Sequence, residues 1–300
     1  MRGYKAALAG KQLYIAALIG IGFLWMGAAY LALAYRLLAL GLPGVTVNLL
    51  VCGAYYVCQA AGIGVVALLF HKRAAFAGGR VLPLLTTLFA LGFMATALYI
   101  SALWLVIVSG ALLNLSIGVL SCCYLTRLST DIPQQRRGLV FGGSYAFGSL
   151  GTWLISLPTG GLRDAGSFFA IAALALLSLL LLRRLEPPAI TADVDHQRMG
   201  FEKKFILLAA AVLFLLSMEN VLGFSFPLRG AHDSVYIEFT RVFYGVGLVI
   251  AGFVSDKNRR WGAICCLAAL AFPFAALALG GNAGGETAMW ILAYLFLGFW

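Results

Sequence analysis

Long, uninterrupted apolar runs dominate this sequence and leave few folds open to it. Nine runs are complete: 12–34, 46–70, 81–99, 102–124, 138–157, 166–182, 205–226, 235–254 and 261–280. A tenth begins near residue 287 and is still running at Trp300. A helix needs about 20 apolar residues to cross a bilayer, and a backbone in lipid must satisfy its own hydrogen bonds. The runs therefore predict an all-α membrane protein.

Composition and charge agree with this class. Of the 300 residues, 62% are hydrophobic and 11% are charged, against roughly 25% charged in ordinary soluble domains. If the N-terminus is inside and the spans alternate, only Arg36, Arg163, Arg229 and Arg241 of the 21 lysines and arginines lie outside. This bias predicts a multi-pass protein of the plasma (inner) membrane with a cytoplasmic N-terminus. The net charge of +10 is then no sign of nucleic-acid binding.

A long polar interval, 185–204, divides the runs into two groups. Pro187 and Pro188 stop the sixth helix, because proline breaks helical hydrogen bonding. We expect an N-terminal six-helix bundle over 1–184, a cytoplasmic linker over 185–204 and a C-terminal bundle over 205–300. His196 beside Asp195 could be a metal site, but a solvated linker is the favoured interpretation. Because a helix should not stop in mid-bilayer with unpaired carbonyls, the second bundle is expected to be truncated within its fourth helix.

Small residues follow one face of the fifth span, which we expect to open at Asp131. Ser144, Gly148 and Thr152 recur every fourth position, and such faces let helices approach closely in lipid. Static packing is the favoured interpretation. Alternatively, this is the face against which the other bundle rocks, with Gly247 and Ala251 opposite.

A weak internal duplication is also visible. An offset of 188 residues places Gly64 on Gly252 and Lys72 on Arg260. The same offset matches the second run with the eighth. Parallel repeats of this kind build the two halves of many transporters.

A charged loop joins the eighth and ninth runs, with the sequence Gly252-Phe-Val-Ser-Asp256-Lys257-Asn258-Arg259-Arg260. A carboxylate at a helix C-terminus opposes the helix dipole, so Asp256 is expected to answer an arginine or another helix N-terminus. A glycine, three residues, an acid and then basic residues resembles the loop signature of the major facilitator superfamily. The corresponding first-half loop keeps Gly64 but has Leu68 in place of the acid.

The resemblance covers the whole chain, through six spans, a polar linker and a second set of spans. It implies a major-facilitator-like fold of two six-helix bundles, here with nine complete runs and part of a tenth. It also implies a central substrate cavity, alternating access by rocking bundles, and a cytoplasmic gate formed by Gly252, Asp256, Lys257 and Arg260. The implied function is a secondary active transporter of a small solute, not an enzyme, and without a cofactor.

A second interpretation remains open. Some proteins that resemble this superfamily carry a helix-turn-helix DNA-binding domain after the last span. The chain would then be a transporter-like membrane sensor, although this segment itself would contact no nucleic acid. The sequence that follows Trp300 would discriminate between the two.

Few polar side chains lie within the runs, and each is a candidate for substrate contact or ion coupling. Glu219 lies well inside a span, where a charge costs at least ~2.5 kcal/mol. It could accept a proton or contact substrate, or pair with Asn220, Arg229 or another helix near the outer rim. Further candidates for the transport cavity are Arg241, Glu238, Asn114, Gln59 and Tyr145.

Each of these further candidates also has a structural interpretation. Glu238 and Arg241 are three residues apart and could simply pair at a helix start. Asn114 and Gln59 could form interhelical hydrogen bonds. Tyr145, with Trp25 and Tyr30, could line an aromatic cavity wall or belong to the core. The expected partners are a small-molecule substrate, possibly a proton, and the lipid bilayer.

Overall fold

The computed structural model describes residues 2–156, 166–186, 237–258, 260–262, 264–265 and 286–299, which form helices joined by turns. The first seven helices are α1 (Arg2–Ala39), α2 (Gly44–Leu49), α3 (Tyr55–Ala77), α4 (Val81–Tyr99), α5 (Leu103–Asp131), α6 (Arg137–Ser156) and α7 (Ser167–Arg184). Two more are α8 (Ile237–Lys257) and α9 (Glu286–Leu297). The chain divides into two compact units, Met1–Ile190 and Thr191–Trp300. The limits predicted for the bundles and linker stay a prediction.

Four of the described helices are long and apolar enough to cross a membrane. They are Gly10–Ala39, Val81–Tyr99, Leu103–Asp131 and Ser167–Arg184, and Tyr55–Phe70 is a shorter apolar helix. Each coincides with a run predicted from the sequence, and α6 and α8 coincide with two more. The predicted run 205–226 and most of 261–280 lie outside the described residues.

The boundary between the fourth and fifth spans differs from the prediction. Asp131 ends α5 and does not open the next span, which begins as α6 at Arg137. Ile132 is extended, with φ −103° and ψ 129°, because the residue before a proline is disfavoured in the helical region. Pro133 and a 3₁₀ turn over Gln134–Arg136 then lead into α6. Asp131 is therefore placed one helical turn after Arg127.

The second apolar run, predicted as a single helix over 46–70, is interrupted. A π-helical turn over Leu50–Ala54 separates α2 from α3. A π turn inserts extra backbone into a helix and rotates the residues that follow it. Tyr55, the first residue after it, is buried and donates its hydroxyl to the main-chain oxygen of Ile107 in α5, at 3.2 Å.

Helix α1 lies at the centre of the first unit, where it contacts α4, α5, α6 and α7. Its buried side chains include Ile15, Leu18, Ile19, Trp25 and Leu33. Lipid tails are as apolar as these residues, so transfer out of water cannot drive the helices together within a membrane. Close van der Waals packing stabilises the unit instead.

The face of small residues on α6 packs against α1. Ser144 donates to the main-chain oxygen of Ala16 at 3.0 Å, and Thr152 donates to that of Leu24 at 3.2 Å. A side chain at Gly148 would collide with Phe23. These contacts confirm static packing for this face. Gly247 packs against α9 within the second unit.

Two helix crossings, one in each unit, have the same construction. In the first unit α3 crosses α5: a Cβ added to Gly62 would overlap the carbonyl of Leu115, and one added to Gly118 would overlap that of Gln59. In the second unit α8 crosses α9 through Gly247 and Gly298. In both crossings, each glycine lies over the carbonyl of the residue three positions before its partner.

The crossings give a register for the internal duplication that differs from the offset of 188 residues. They match Gly62 with Gly247, which is 185 residues later, and not Gly64 with Gly252. A Cβ on Gly64 would have no neighbour within 4 Å, whereas Gly252 is buried. The two glycines of the sequence alignment therefore occupy different environments.

Candidate functional site

Three aromatic rings from two helices form a half-buried cluster. Phe23 of α1 meets Tyr145 of α6 edge to face, with ring centroids 5.0 Å apart. Phe141, one turn before Tyr145, stacks on it at 5.8 Å and meets Phe23 edge to face at 6.1 Å. Because each ring is only half-buried, part of each apolar surface remains accessible. Tyr145 was a candidate from the sequence, and the structure adds Phe23 and Phe141.

A second aromatic pair lies along the same face of α1. Tyr30, seven residues after Phe23, is on that face because two helical turns take about seven residues. Its ring meets that of Tyr56 in α3 at 6.0 Å, and Tyr56 is 40% exposed. Trp25, predicted as a possible member of this wall, is completely buried in the core. The accessible aromatic wall therefore consists of Phe23, Tyr30, Tyr56, Phe141 and Tyr145, which we call the aromatic row.

The two amide candidates of the first unit are built into its helix packing. Asn114 is buried and donates its Nδ2 to the main-chain oxygen of Gly110, one turn back in α5, at 2.9 Å. This bond is made within one helix, not between helices as favoured from the sequence. Gln59 is half-buried, and its main-chain carbonyl lies against Gly118 at the α3–α5 crossing.

For the charged candidates of the second unit, the structure describes no side-chain contacts. Glu219 lies outside the described residues. Glu238 and Arg241 lie in the first turns of α8, but their side chains are outside the described part. Their pairing and the coupling role of Glu219 stay predictions.

The predicted cytoplasmic gate lies in the last turns of α8 and just after its end. Gly252 is buried, Asp256 is half-buried, and α8 ends at Lys257. Lys257 lies along its own helix, with Nζ 4.4 Å from the centre of the Phe253 ring, one turn earlier. A cation over an aromatic face is favourable. This contact positions the lysine charge at the helix end, where it also suits the dipole.

Asn258 was part of the loop signature but had no predicted role of its own. Its side-chain oxygen accepts a hydrogen bond from the main-chain nitrogen of Arg260 at 3.0 Å. Its main-chain nitrogen donates to the main-chain oxygen of Val254 at 2.9 Å. Helical residues resume at Arg260. Asparagine is a favoured residue for capping a helix N-terminus. Asn258 therefore follows the end of α8 and caps the helical residues that begin again at Arg260.

A charged network where the α5–α6 turn meets the N-terminal part of α1 was missed by the sequence analysis. Asp131 lies between Lys11 of α1, at 3.0 Å, and Arg127 of α5, at 3.3 Å. The Arg127 side chain is only 6% exposed. Arg136 donates to the side-chain oxygen of Gln12 at 2.8 Å, which gives a second link between this turn and α1. The spacing of four residues between Arg127 and Asp131 was the available signal.

Arg36, in the last turn of α1, is held by a contact within the first unit. Its Nη2 donates to the main-chain oxygen of Ile100 at 3.0 Å, just beyond the end of α4. A cation suits the C-terminal end of a helix, where carbonyls are unpaired.

No protein-family model matches the chain, and no match to it was found among curated protein sequences. Its fold is similar to solved structures of the nucleoside transporter NupG. The D323A mutant matches with a TM-score of 0.63 and 14% identity over 96% of this chain and 79% of that one. NupG itself matches with a TM-score of 0.60 and 14% identity over 96% and 78%. The predicted all-α, major-facilitator-like fold is thereby confirmed.

Proposed function

We propose that this chain is a secondary active transporter that moves a small, uncharged, ring-bearing solute across the plasma membrane by rocking-bundle alternating access. The observation that carries the proposal is the structural match to a transporter over 96% of the chain. A nucleoside is the first solute to test, since the similar structures are those of a nucleoside transporter. Gly252, Asp256, Lys257 and Arg260 are retained in this proposal as the cytoplasmic gate.

The charge distribution of the first unit supports an uncharged solute. Every lysine, arginine, aspartate and glutamate in 2–156 and 166–186 lies near the end of a helix or of its apolar span, or in a turn. A strongly ionic solute would need an opposite charge near mid-membrane, since burying an unpaired ion is costly. The first unit offers neutral groups at that depth instead.

The aromatic row supports a solute with a flat ring. Stacking on an aromatic side chain is worth about 1–3 kcal/mol for a nucleobase when measured by alanine substitution. Such contacts do not depend on the identity of the base, because every base has an aromatic face. The row would therefore favour nucleosides as a class over sugars of similar size.

Counterflow in liposomes that contain the purified chain tests the proposal. The liposomes are loaded with unlabelled uridine, and uptake of radiolabelled uridine from outside is followed. Tyr145→Ala should raise the half-saturating uridine concentration about tenfold, because one ring contact of roughly 1.4 kcal/mol is lost. Tyr145→Phe keeps the ring and should retain most of the affinity.

A matched control comes from an aromatic residue outside the row. Phe89 on α4 is 61% exposed and stacks on Phe93 at 6.3 Å, and Phe89→Ala should leave counterflow unchanged. If uridine and adenosine both fail to exchange, the nucleoside assignment is wrong. If the chain exchanges no solute from a panel of sugars, nucleosides and amino acids, transport itself is rejected.

A further inference from the structure

The last turn of α7 and the residues just after it receive hydrogen bonds from three other parts of the first unit. Tyr14 of α1 donates its hydroxyl to the main-chain oxygen of Leu181 at 2.7 Å. Arg80, in the turn before α4, donates to that of Leu185 at 2.9 Å. Arg127 of α5 donates to that of Glu186 at 2.5 Å. Leu181 is one of the last four residues of α7, whose carbonyls a helix end leaves unpaired, and Leu185 and Glu186 follow the end of the helix.

Arg127 makes the most constrained of these contacts. Its side chain is 6% exposed, and its Nη1 donates hydrogen bonds to both the Glu186 carbonyl and the Asp131 carboxylate. A buried arginine needs such partners, because an uncompensated buried charge is strongly destabilising. Hydrogen bonds from a charged donor are also stronger than those between neutral groups. Lys11 on the other oxygen of Asp131 ties the same site to α1.

These contacts hold the chain just after the end of α7. Leu185 turns to an extended conformation, with φ −79° and ψ 141°. Both arginines bind main-chain oxygens, so the contacts do not depend on the side chains at 185 and 186. In sequence, the polar interval with Pro187 and Pro188 follows directly.

We infer that Arg80 and Arg127 form an exit clamp, which fixes the backbone of Leu185 and Glu186, just after α7, to the rest of the first unit. In a rocking transporter each half must move as one body, and the clamp keeps the end of α7 part of the first half. Arg127 is then a positioning residue for the transport cycle, acting through the backbone and touching no substrate. This consequence for transport rests on the proposed function, whereas the clamp itself does not.

Limited proteolysis of the full chain in nanodiscs tests the clamp directly. Trypsin cleaves after arginine and lysine but needs an extended backbone, so cleavage after Arg184 requires release of Leu185 and Glu186. Its rate is compared with cleavage after Arg198, in the polar interval of the same molecule. Arg127→Gln should raise the ratio of the two rates at least tenfold.

Arg80→Gln provides a second test that does not disturb the interior, because Arg80 is exposed. It should raise the same ratio several-fold. Arg137→Gln is the matched control: Arg137 is another arginine at this end and also donates to main-chain oxygens, those of Ile132 and Ser129, but not to α7. The control should leave the ratio unchanged.

The outcomes separate the clamp from transport. A ratio that rises in both test variants and not in the control supports the clamp, even if no solute is transported. An unchanged ratio in Arg80→Gln and Arg127→Gln overturns it, even if transport is found. Where transport is found, slower counterflow in Arg127→Gln with an unchanged half-saturating concentration supports the positioning role, and normal counterflow rejects that role.

Discussion

Polar side chains within the apolar helices mostly satisfy their hydrogen bonds on their own backbone. Asn114 bonds to Gly110, Thr87 to Pro83 and Thr126 to Cys122, each one turn back in the same helix. In lipid there is no water to pair these groups, and serine and threonine readily bond to the carbonyl four residues earlier. A mid-span polar residue is therefore a weak sign of a substrate site unless it is charged.

Glu219 is the charged exception, and we expect it to couple solute movement to a proton. Glu219→Gln removes the titratable group but keeps the shape of the side chain. It should abolish uridine accumulation driven by a proton gradient, while counterflow, which needs no net proton movement, continues. The measurement compares both modes in the same liposomes.

The control for this prediction is Glu202→Gln, in the polar interval, which should leave both modes unchanged. Gradient-driven uptake that persists in Glu219→Gln would show that the carboxylate is structural. Loss of counterflow as well would point to a role in binding or folding and would remove the coupling assignment.

The polar network around Arg127 shows the limit of sequence analysis at the level of single residues. The pair Arg127 and Asp131 can be recognised from its spacing along one helix. Lys11 and the carbonyl of Glu186 cannot, because they lie 120 residues before Asp131 and 59 residues after Arg127. Only the folded chain brings these partners together.

At the two glycine crossings an added Cβ would lie nearer to neighbouring atoms than at any other glycine the structure describes. At Gly62 and Gly118 the space a side chain would need is taken by main-chain carbonyls, which cannot rotate away as a flexible side chain could. Gly247 and Gly298 have the same arrangement, so the α3–α5 pair and the α8–α9 pair pack in the same way. Small residues at such crossings let helices approach closely in membranes.

Gly62→Ala should therefore destabilise the first unit. Overpacking of this kind costs about 1–3 kcal/mol, which corresponds to a fall in Tm of several degrees for a chain of this size. Gly64→Ala, two residues away on an open part of α3, should leave Tm unchanged or slightly raised, since alanine favours a helix over glycine.

The measurement is thermal unfolding of both variants in the same detergent. Equal Tm values for the two would mean that α3 and α5 separate easily, and the crossing would then not determine the stability of the unit.

The π turn over Leu50–Ala54 is a second feature of the helices. It was not predictable, because its residues continue an apolar run without a break in composition.

For the molecule as a whole, orientation in the membrane is the most direct prediction. Thr46, in the first turn of α2, and Gln135, between α5 and α6, are both exposed. With a cytoplasmic N-terminus, a membrane-impermeant maleimide should label Thr46→Cys in intact cells. It should label Gln135→Cys only after the membrane is made permeable. The unmodified chain, whose six cysteines all lie in apolar runs, measures the background.

The opposite pattern of labelling would reverse the predicted orientation and move the exit clamp and the loop after α8 to the outside. Equal labelling of both positions in intact cells would contradict the alternation of the spans between Thr46 and Gln135. Neither result would change the fold, which depends on contacts within the protein.

The class of this protein and most of its helices follow from the amino-acid sequence alone. Apolar runs of fixed length have one stable form in lipid, because each helix pairs its own backbone groups. The positions of α4 and α6 follow within about one residue of the predicted runs. The major-facilitator-like fold was likewise indicated by the number and grouping of those runs and by the loop after α8.

Which residues contact each other could be learned only from the folded chain. It placed Tyr145 with Phe23, moved Asp131 from the start of α6 to the end of α5, and matched Gly62 with Gly247. Helices in lipid are held by close packing and a few polar contacts, since lipid is as apolar as their side chains. Hydropathy locates a helix but does not give its rotation, and rotation determines the aromatic row, the glycine crossings and the exit clamp.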